Sequence, residues 1–478
     1  MNYDIHIENL GAIKESDITI TPLTILAGEN GTGKSFVTKF FYSVLNVTIL
    51  DIFSNELNFL LTDIDKSIAR IIRSIGSRGF NLHKLGIMSI LKTSIDETAK
   101  ALRDNIEYPP VVVDPTILED IKKSIESYNT AFSNIFDSKE EEQSKLENSK
   151  SQDSDLDSLV LKYTTQILSN SLKMLLLAIE DPKGYFIGIL EDNIENELKS
   201  NFQISEISSL VNNESKKAVF EIKKLIRIEI SKDNSIKTFF DEDKLFNNEI
   251  INRILFFESP VYWKMLSIID DSNEASRKFI SKSISDERLT GVPKHFIDLK
   301  ELLFANLKDG ERPDFIIKCA DDLEKQLQGK FKAANSDLTF ENSKGQSISK
   351  SLVSFGMTNI GIFQAVLSKN IINKGSFVFI DEPESNLHPE WQAILANVLV
   401  ELAKNGVYII VTTHSSDMLK AFEISTQEQK ISGELSTYYF KPDGKLLNMI
   451  DDKFSPIEMA RRKLLETYED LMMRGYFL

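Results

Sequence analysis

The chain has 478 residues, 42% of them apolar and 27% charged, and a formal net charge of −16. That mix is the mix of a globular protein with room for a large core and about two or three domains, while its acidity argues against a surface that acts as a whole as a nucleic-acid platform. No apolar run approaches the roughly 18 residues of a membrane span, and a single cysteine, Cys319, excludes intrachain disulfides and cysteine-based zinc clusters.

In chain order, no basic-then-apolar leader precedes Asp4, His6 and Glu8, so a cytoplasmic chain is expected. Tyr3 to Glu8 and Ser16 to Thr21 alternate apolar and polar residues, which predicts a small antiparallel sheet punctuated by Gly11 and Pro22. Leu23 to Ala27 is a short apolar run suited to a buried strand, and Ser35 onward, with Phe36, Val37, Phe40 and Phe41, reads as a helix with an apolar face. Between them lies Gly28-Glu29-Asn30-Gly31-Thr32-Gly33-Lys34-Ser35, the phosphate-binding loop pattern. Its glycines let successive N–H groups turn toward phosphate oxygens, and the positive end of the following helix adds to that field. Lys34 can reach the β- and γ-phosphates, and the Ser35 hydroxyl can ligate Mg²⁺.

Residues 48–334 read as a long, mostly helical insertion. Apolar residues recur at helical spacing at Ile64, Ile68, Ile71, Ile72 and Ile75, and again at Leu159, Leu161, Ile167, Leu168 and Leu172, while glycine and proline are scarce. The run from Ser138 to Asp155 is charged and reads as a solvated helix end or loop. Lys66 to Ser94 contains no acid but holds Arg70, Arg73, Arg78, Lys84 and Lys92, either a solvated helix–loop–helix or a patch for an acidic partner; with Phe80 its one aromatic residue, stacking on single-stranded bases is not expected. Arg253 to Pro260 and Asp337 to Glu341 interrupt the helical character as strands.

Residues 335–450 alternate helix and strand. Ser376 to Ile380 and Gly406 to Thr412 are continuous apolar runs, the mark of parallel strands covered on both faces, and Trp391 to Lys404 is the crossover helix between them. The first run ends in Asp381-Glu382-Pro383, which brings two carboxylates to the ligand edge of such a sheet; Asp381 would hold Mg²⁺ and Glu382 would orient or deprotonate a water. The second run ends in Thr412-Thr413-His414, where the histidine can hydrogen-bond a γ-phosphate. A hairpin over Thr437 to Ile450 and a helix in 451–478 complete the chain.

Gly28 to Ser35, Asp381-Glu-Pro-Glu-Ser-Asn-Leu-His388-Pro389 and Thr412-Thr-His414 resemble the Walker A, Walker B with D-loop, and switch-histidine motifs of ABC-type ATPases, in the branch of Rad50, RecF, structural-maintenance proteins and OLD nucleases. The resemblance covers residues 1–47 and 335–450. It implies an α/β ABC-type P-loop head with N-terminal antiparallel strands and a long, mostly helical insertion. The stretch matching the signature motif, Ser351 to Asn359, keeps Ser354 and Gly356 but has Phe355 where a small residue is usual. The glutamine that normally follows an early strand has no counterpart, and Glu258-Ser259 stands nearest to its place. The motif after Asp381 together with the long insertion looks most like the ATPase subunits of anti-phage systems such as PARIS, Septu and retrons. That likeness implies ATP and Mg²⁺ as cofactors and a homo-oligomer that sandwiches ATP between residues 28–35 of one copy and Ser354 and Gly356 of another. It also implies a separate effector, a Toprim or HNH nuclease, and a trigger that is DNA or an acidic phage protein. The alternative from the same resemblance is a DNA-repair or chromosome-maintenance ATPase.

Overall fold

The computed structural model describes residues 2–48, 52–76, 93, 119, 123, 152–241, 251–258, 260–265, 291–305, 311–334, 337–431, 434–449, 451 and 453–475. Arg78, Phe80, Lys84 and Lys92 of the basic stretch, and residues 138–151 of the charged run, lie outside them. Two compact units emerge, one made of Met1–Ile49 with Asn193–Leu478, the other of Leu50–Asp192.

The chain opens with β1 (Tyr3–Leu10) and β2 (Ile13–Ile20), antiparallel with Tyr3 opposite Ile20. Their period-two pattern buries Ile5, Ile7, Ile18 and Ile20 on one face. Every residue of β3 (Leu23–Gly28) is buried, as a central parallel strand requires, and α1 (Lys34–Thr48) follows, burying Val37, Phe40, Phe41, Val44 and Leu45.

The second unit is helical where it is described. In it α2 (Ile52–Gly76) and α3 (Gln152–Glu180) pack together, burying Leu61, Ile64, Ile68 and Ile71 from one and Leu168, Leu172 and Leu175 from the other. That is the i, i+3, i+4 spacing expected of helices. Arg70 and Arg73 of α2 are exposed. The chain continues through α4 (Pro182–Phe202).

The expected insertion of 48–334 is corrected from here on. β4 (Lys217–Ile222), β5 (Ile226–Ser231) and β6 (Ile236–Phe240) extend the first sheet in the order β2-β1-β4-β5-β6. Their turns contain no glycine: Lys224 (φ 66) and Asn234 (φ 65) adopt the left-handed conformation themselves. β7 (Ile254–Phe257) then enters the parallel sheet beside the strand that ends at Asp381. The helices α5 (Val261–Lys264), α6 (Lys294–Phe304) and α7 (Asp314–Leu327) follow, and residues of all three join the core packed around that sheet. So 193–334 belongs to the head, and the separate helical unit is Leu50–Asp192.

A three-stranded antiparallel sheet, β8 (Gly329–Ala334), β9 (Asp337–Asn342) and β10 (Ser347–Ser349), precedes α8 (Phe355–Ser368). Then come β11 (Phe377–Asp381), α9 (Pro389–Lys404), β12 (Tyr408–Thr413), α10 (Ser416–Gln429), β13 (Leu435–Phe440) and α11 (Pro456–Gly475). The parallel sheet runs β13-β3-β12-β11-β7. The expected hairpin after Thr437 is short: around the Phe440–Leu446 bridge the Lys441 N–H donates to the Lys445 carbonyl at 3.0 Å and the Leu447 N–H to the Tyr439 carbonyl at 2.8 Å, while the other edge of β13 pairs with β3. An antiparallel sheet leading into a parallel sheet, one of whose interior strands feeds the glycine-rich loop, is the expected α/β architecture.

Candidate nucleotide site

The loop between β3 and α1 is shaped by glycine. Gly28 sits at φ 149 and a Cβ there would lie 2.5 Å from the Phe440 carbonyl oxygen on β13, so no larger residue fits the exit from the strand. Gly31 (φ 77) turns the exposed crest made by Glu29, Asn30 and Gly31. The Thr32 hydroxyl closes the loop by donating to the Glu29 carbonyl at 2.8 Å. Lys34, the first residue of α1, is buried; its Nζ donates to the carbonyls of Gly28 (2.9 Å) and Glu29 (2.6 Å). Burial lowers the Lys34 pKa, and the carboxylates of Glu382, Asp381, Glu384 and Glu29 pull in the opposite direction. A buried ammonium bonded only to neutral carbonyls of its own loop, under a helix N-terminus, is chemically suited to phosphate oxygens.

Three parallel strands end beside this loop. Register sets Asp381 opposite Thr412, and Ile380 opposite Phe257, so Asp381, Glu382, Glu258 and His414 all emerge at the carboxyl edge. Asp381 accepts hydrogen bonds from the hydroxyls of Thr412 and Ser35. Burial raises its pKa, and those two bonds oppose the rise. Ser35 and Asp381, the residues expected to ligate Mg²⁺, are therefore in contact, a hydroxyl and a carboxylate that suit a hard cation. Glu382 turns the chain sharply (φ 49), its N–H donating to the Thr412 carbonyl at 3.1 Å. Its Oε1 lies 3.2 Å from His414 Nδ1, and both side chains are partly open to solvent.

Ser354 and Gly356 stand elsewhere, at the start of α8. Ser354 caps that helix by accepting the Met357 N–H at 3.2 Å, and a Cβ on Gly356 would meet the Asn386 carbonyl at 2.4 Å. The helix start thus rests on the loop that follows β11. Among the described hydrogen bonds none joins Ser354 or Gly356 to residues 28–35 of the same chain.

Two acids of this edge have roles that spacing alone did not assign. Glu258 is held by Lys39 of α1 at 3.0 Å and by His295 Nε2 of α6 at 2.9 Å. Burial would raise its pKa, but the His295 bond and the Lys39 charge bring it down to about 2. Glu384 Oε1 accepts from the Thr413 hydroxyl at 2.7 Å and the His414 N–H at 3.0 Å. Glu384 lies within the motif, and its contacts follow from the β11–β12 register; Glu258 is the residue nearest to the place of the missing glutamine, and its partners Lys39 and His295 carry no signal in the sequence.

A family model described as AAA ATPase domain matches residues 1–419. No curated protein matches the chain. Solved structures similar to it include the Smc head domain with an extended coiled coil bound to the C-terminal domain of ScpA from Pyrococcus furiosus, at 10% identity, TM-score 0.38, covering 98% of this chain and 100% of that one. The Smc head domain with a coiled coil and joint from Pyrococcus yayanosii matches at 11% identity and TM-score 0.32, covering 98% and 100%. The SMC head domain from Thermotoga maritima matches at 12% identity and TM-score 0.23, covering 55% and 83%.

Proposed function

The chain belongs to the AAA ATPase domain family, and on that premise we propose that it binds ATP with Mg²⁺, hydrolyses it to ADP and phosphate, and uses the cycle to control a separate effector. The observation that carries the catalytic reading is the convergence of Lys34, Ser35, Asp381, Glu382 and His414 from three strand ends. Lys34 exchanges its bonds to the Gly28 and Glu29 carbonyls for β- and γ-phosphate oxygens, while the N–H groups of residues 29–35 line the loop around them. Ser35 and Asp381 would hold Mg²⁺, which when bound neutralises charge on those oxygens. Glu382 orients the attacking water and accepts its proton, and His414, beside Glu382, bonds the γ-phosphate.

Ser354 and Gly356 complete the site from a second copy. No described hydrogen bond joins them to the chain's own loop, which supports that reading, as do Leu352 (81% exposed) and Phe355 (42% exposed) beside them. The effector reading, a sensor in anti-phage defence that governs a Toprim or HNH nuclease, rests on the motif resemblance. A DNA-repair or chromosome-maintenance ATPase is the second reading, and exposed Arg70 and Arg73 on α2 are the feature in its favour. ATP turnover by the purified chain tests the common core. Lys34→Ala is expected to abolish it, and chelation of Mg²⁺ to do the same in the parent; parental turnover in Lys34→Ala would show that the loop has been misread.

A further inference from the structure

We propose that Glu384, the last acid of Asp381-Glu382-Pro383-Glu384, is a positioning residue that fixes His414 against Glu382; the proposal rests on the hydrolytic reading above. β11 and β12 separate after their last paired residues, Asp381 with Thr412; Thr413 still pairs with Ala27 of β3, but beyond it no ladder holds His414. Glu384 takes over that task. It is buried, and one oxygen, Oε1, receives the Thr413 hydroxyl at 2.7 Å and the His414 backbone N–H at 3.0 Å. The Thr413 oxygen in turn accepts the Ser415 N–H at 3.0 Å, and Ser415 caps α10 by accepting the Met418 N–H at 3.1 Å.

One carboxylate oxygen therefore anchors the whole turn from strand to helix on which His414 stands. With its backbone tied this way, the His414 ring places Nδ1 3.2 Å from Glu382 Oε1 and 3.5 Å from the same Glu384 Oε1 that holds its backbone. Glu384 thus stands between the acid that activates water and the histidine that meets the γ-phosphate. A shift of about 1 Å in a catalytic group can cost about 100-fold in rate, so the anchor acts on turnover and leaves nucleotide affinity to Lys34 and the loop.

The test is steady-state ATP hydrolysis with kcat and KM separated. Glu384→Ala is expected to lower kcat by about 10- to 100-fold with KM for ATP within about 2-fold of the parent. Glu384→Gln, which keeps an oxygen acceptor, should recover kcat to within about 3-fold of the parent. Thr413→Val removes the other half of the bond at nearly constant shape and should lower kcat by about 3- to 10-fold, Thr413→Ser restoring it. Should Glu384→Ala fail to fold, the Thr413 pair decides. The double variant Glu384→Ala/Thr413→Val should lose less than the two single losses combined, because both changes break the Glu384–Thr413 bond, while Thr413→Val also takes the acceptor from the Ser415 N–H. Parental kcat in Glu384→Ala, a loss confined to KM, a Gln variant as slow as the Ala variant, or additive losses in the double variant would each overturn the inference while leaving the hydrolytic reading intact. A parent without turnover would overturn both.

Discussion

Glu258 owes its charge to partners from two helices, Lys39 of α1 and His295 of α6. Behind them the contacts continue: Asn201 Oδ1 accepts the His295 backbone N–H at 2.8 Å, and Asn201 Nδ2 donates to Ser43 at 2.9 Å and to Glu197 at 3.1 Å. The Glu258 pKa is about 2 against an ordinary 4.5, so between those values the unfolded chain binds the proton and the folded one does not. Glu258 therefore stabilises the fold fully above about pH 4.5, and that stabilisation is lost as pH falls toward 2; burial lowers the His295 pKa, so Lys39 supplies the lasting charge and His295 the hydrogen bond. Urea unfolding of the parent and of Glu258→Gln over this range should show the parent losing stability more steeply with acid. Parallel pH curves would mean that the two partners do not hold the carboxylate charged. No spacing rule could have found this cluster, since Lys39, Glu258 and His295 meet only through the fold. The phosphate loop and the Asp381-Glu382 pair were legible because each is contiguous in sequence and its chemistry is local.

The elements were legible to unequal degree. β3, β11 and β12 read as buried parallel strands because their apolar runs are unbroken, and α2 and α3 because their apolar residues repeat at helical spacing. β4 to β6 were absorbed into a helical reading because the usual punctuation is missing: Lys224 and Asn234 turn the chain where glycine is expected, although Ile226-Arg-Ile-Glu-Ile230 alternates as a strand should. β7 is four residues long and shows its role only by lying beside β11. Packing between elements is equally invisible to pattern. In α8, Gly361 lies against Phe331 of β8 so closely that an added Cβ would fall 1.9 Å from the ring. Alanine is the better helix former by about 1 kcal/mol, yet Gly361→Ala should destabilise the head by about 1–3 kcal/mol because the buried ring has no room to retreat. Thermal melting measures this, and adding Phe331→Leu in the same chain should return part of the loss. A Gly361→Ala variant more stable than the parent would mean that helix propensity outweighs the contact.

For the whole molecule, whether Ser354 and Gly356 meet the nucleotide of a second copy decides what ATP can do. Lys34, Ser35, Asp381 and Glu382 gather at one edge of the sheet, whereas Ser354 heads α8 beside exposed Leu352 and Phe355. If a second copy supplies Ser354 and Gly356 to the γ-phosphate, intact ATP closes the assembly and hydrolysis opens it. Glu382→Gln tests this without disturbing the bound nucleotide, because Lys34, Ser35 and Asp381 remain and the amide keeps the shape of the side chain. On the proposed role of Glu382 as general base, turnover should fall by a factor of about 100 or more while ATP still binds. The closed assembly should then be long-lived. Light scattering with and without ATP should show the variant held as a dimer or larger oligomer where the parent cycles back. Parental turnover in Glu382→Gln would remove the residue from the catalytic role. Slow turnover with no ATP-dependent change in mass would keep that role and sink the composite site, leaving Ser354 as no more than the cap of α8.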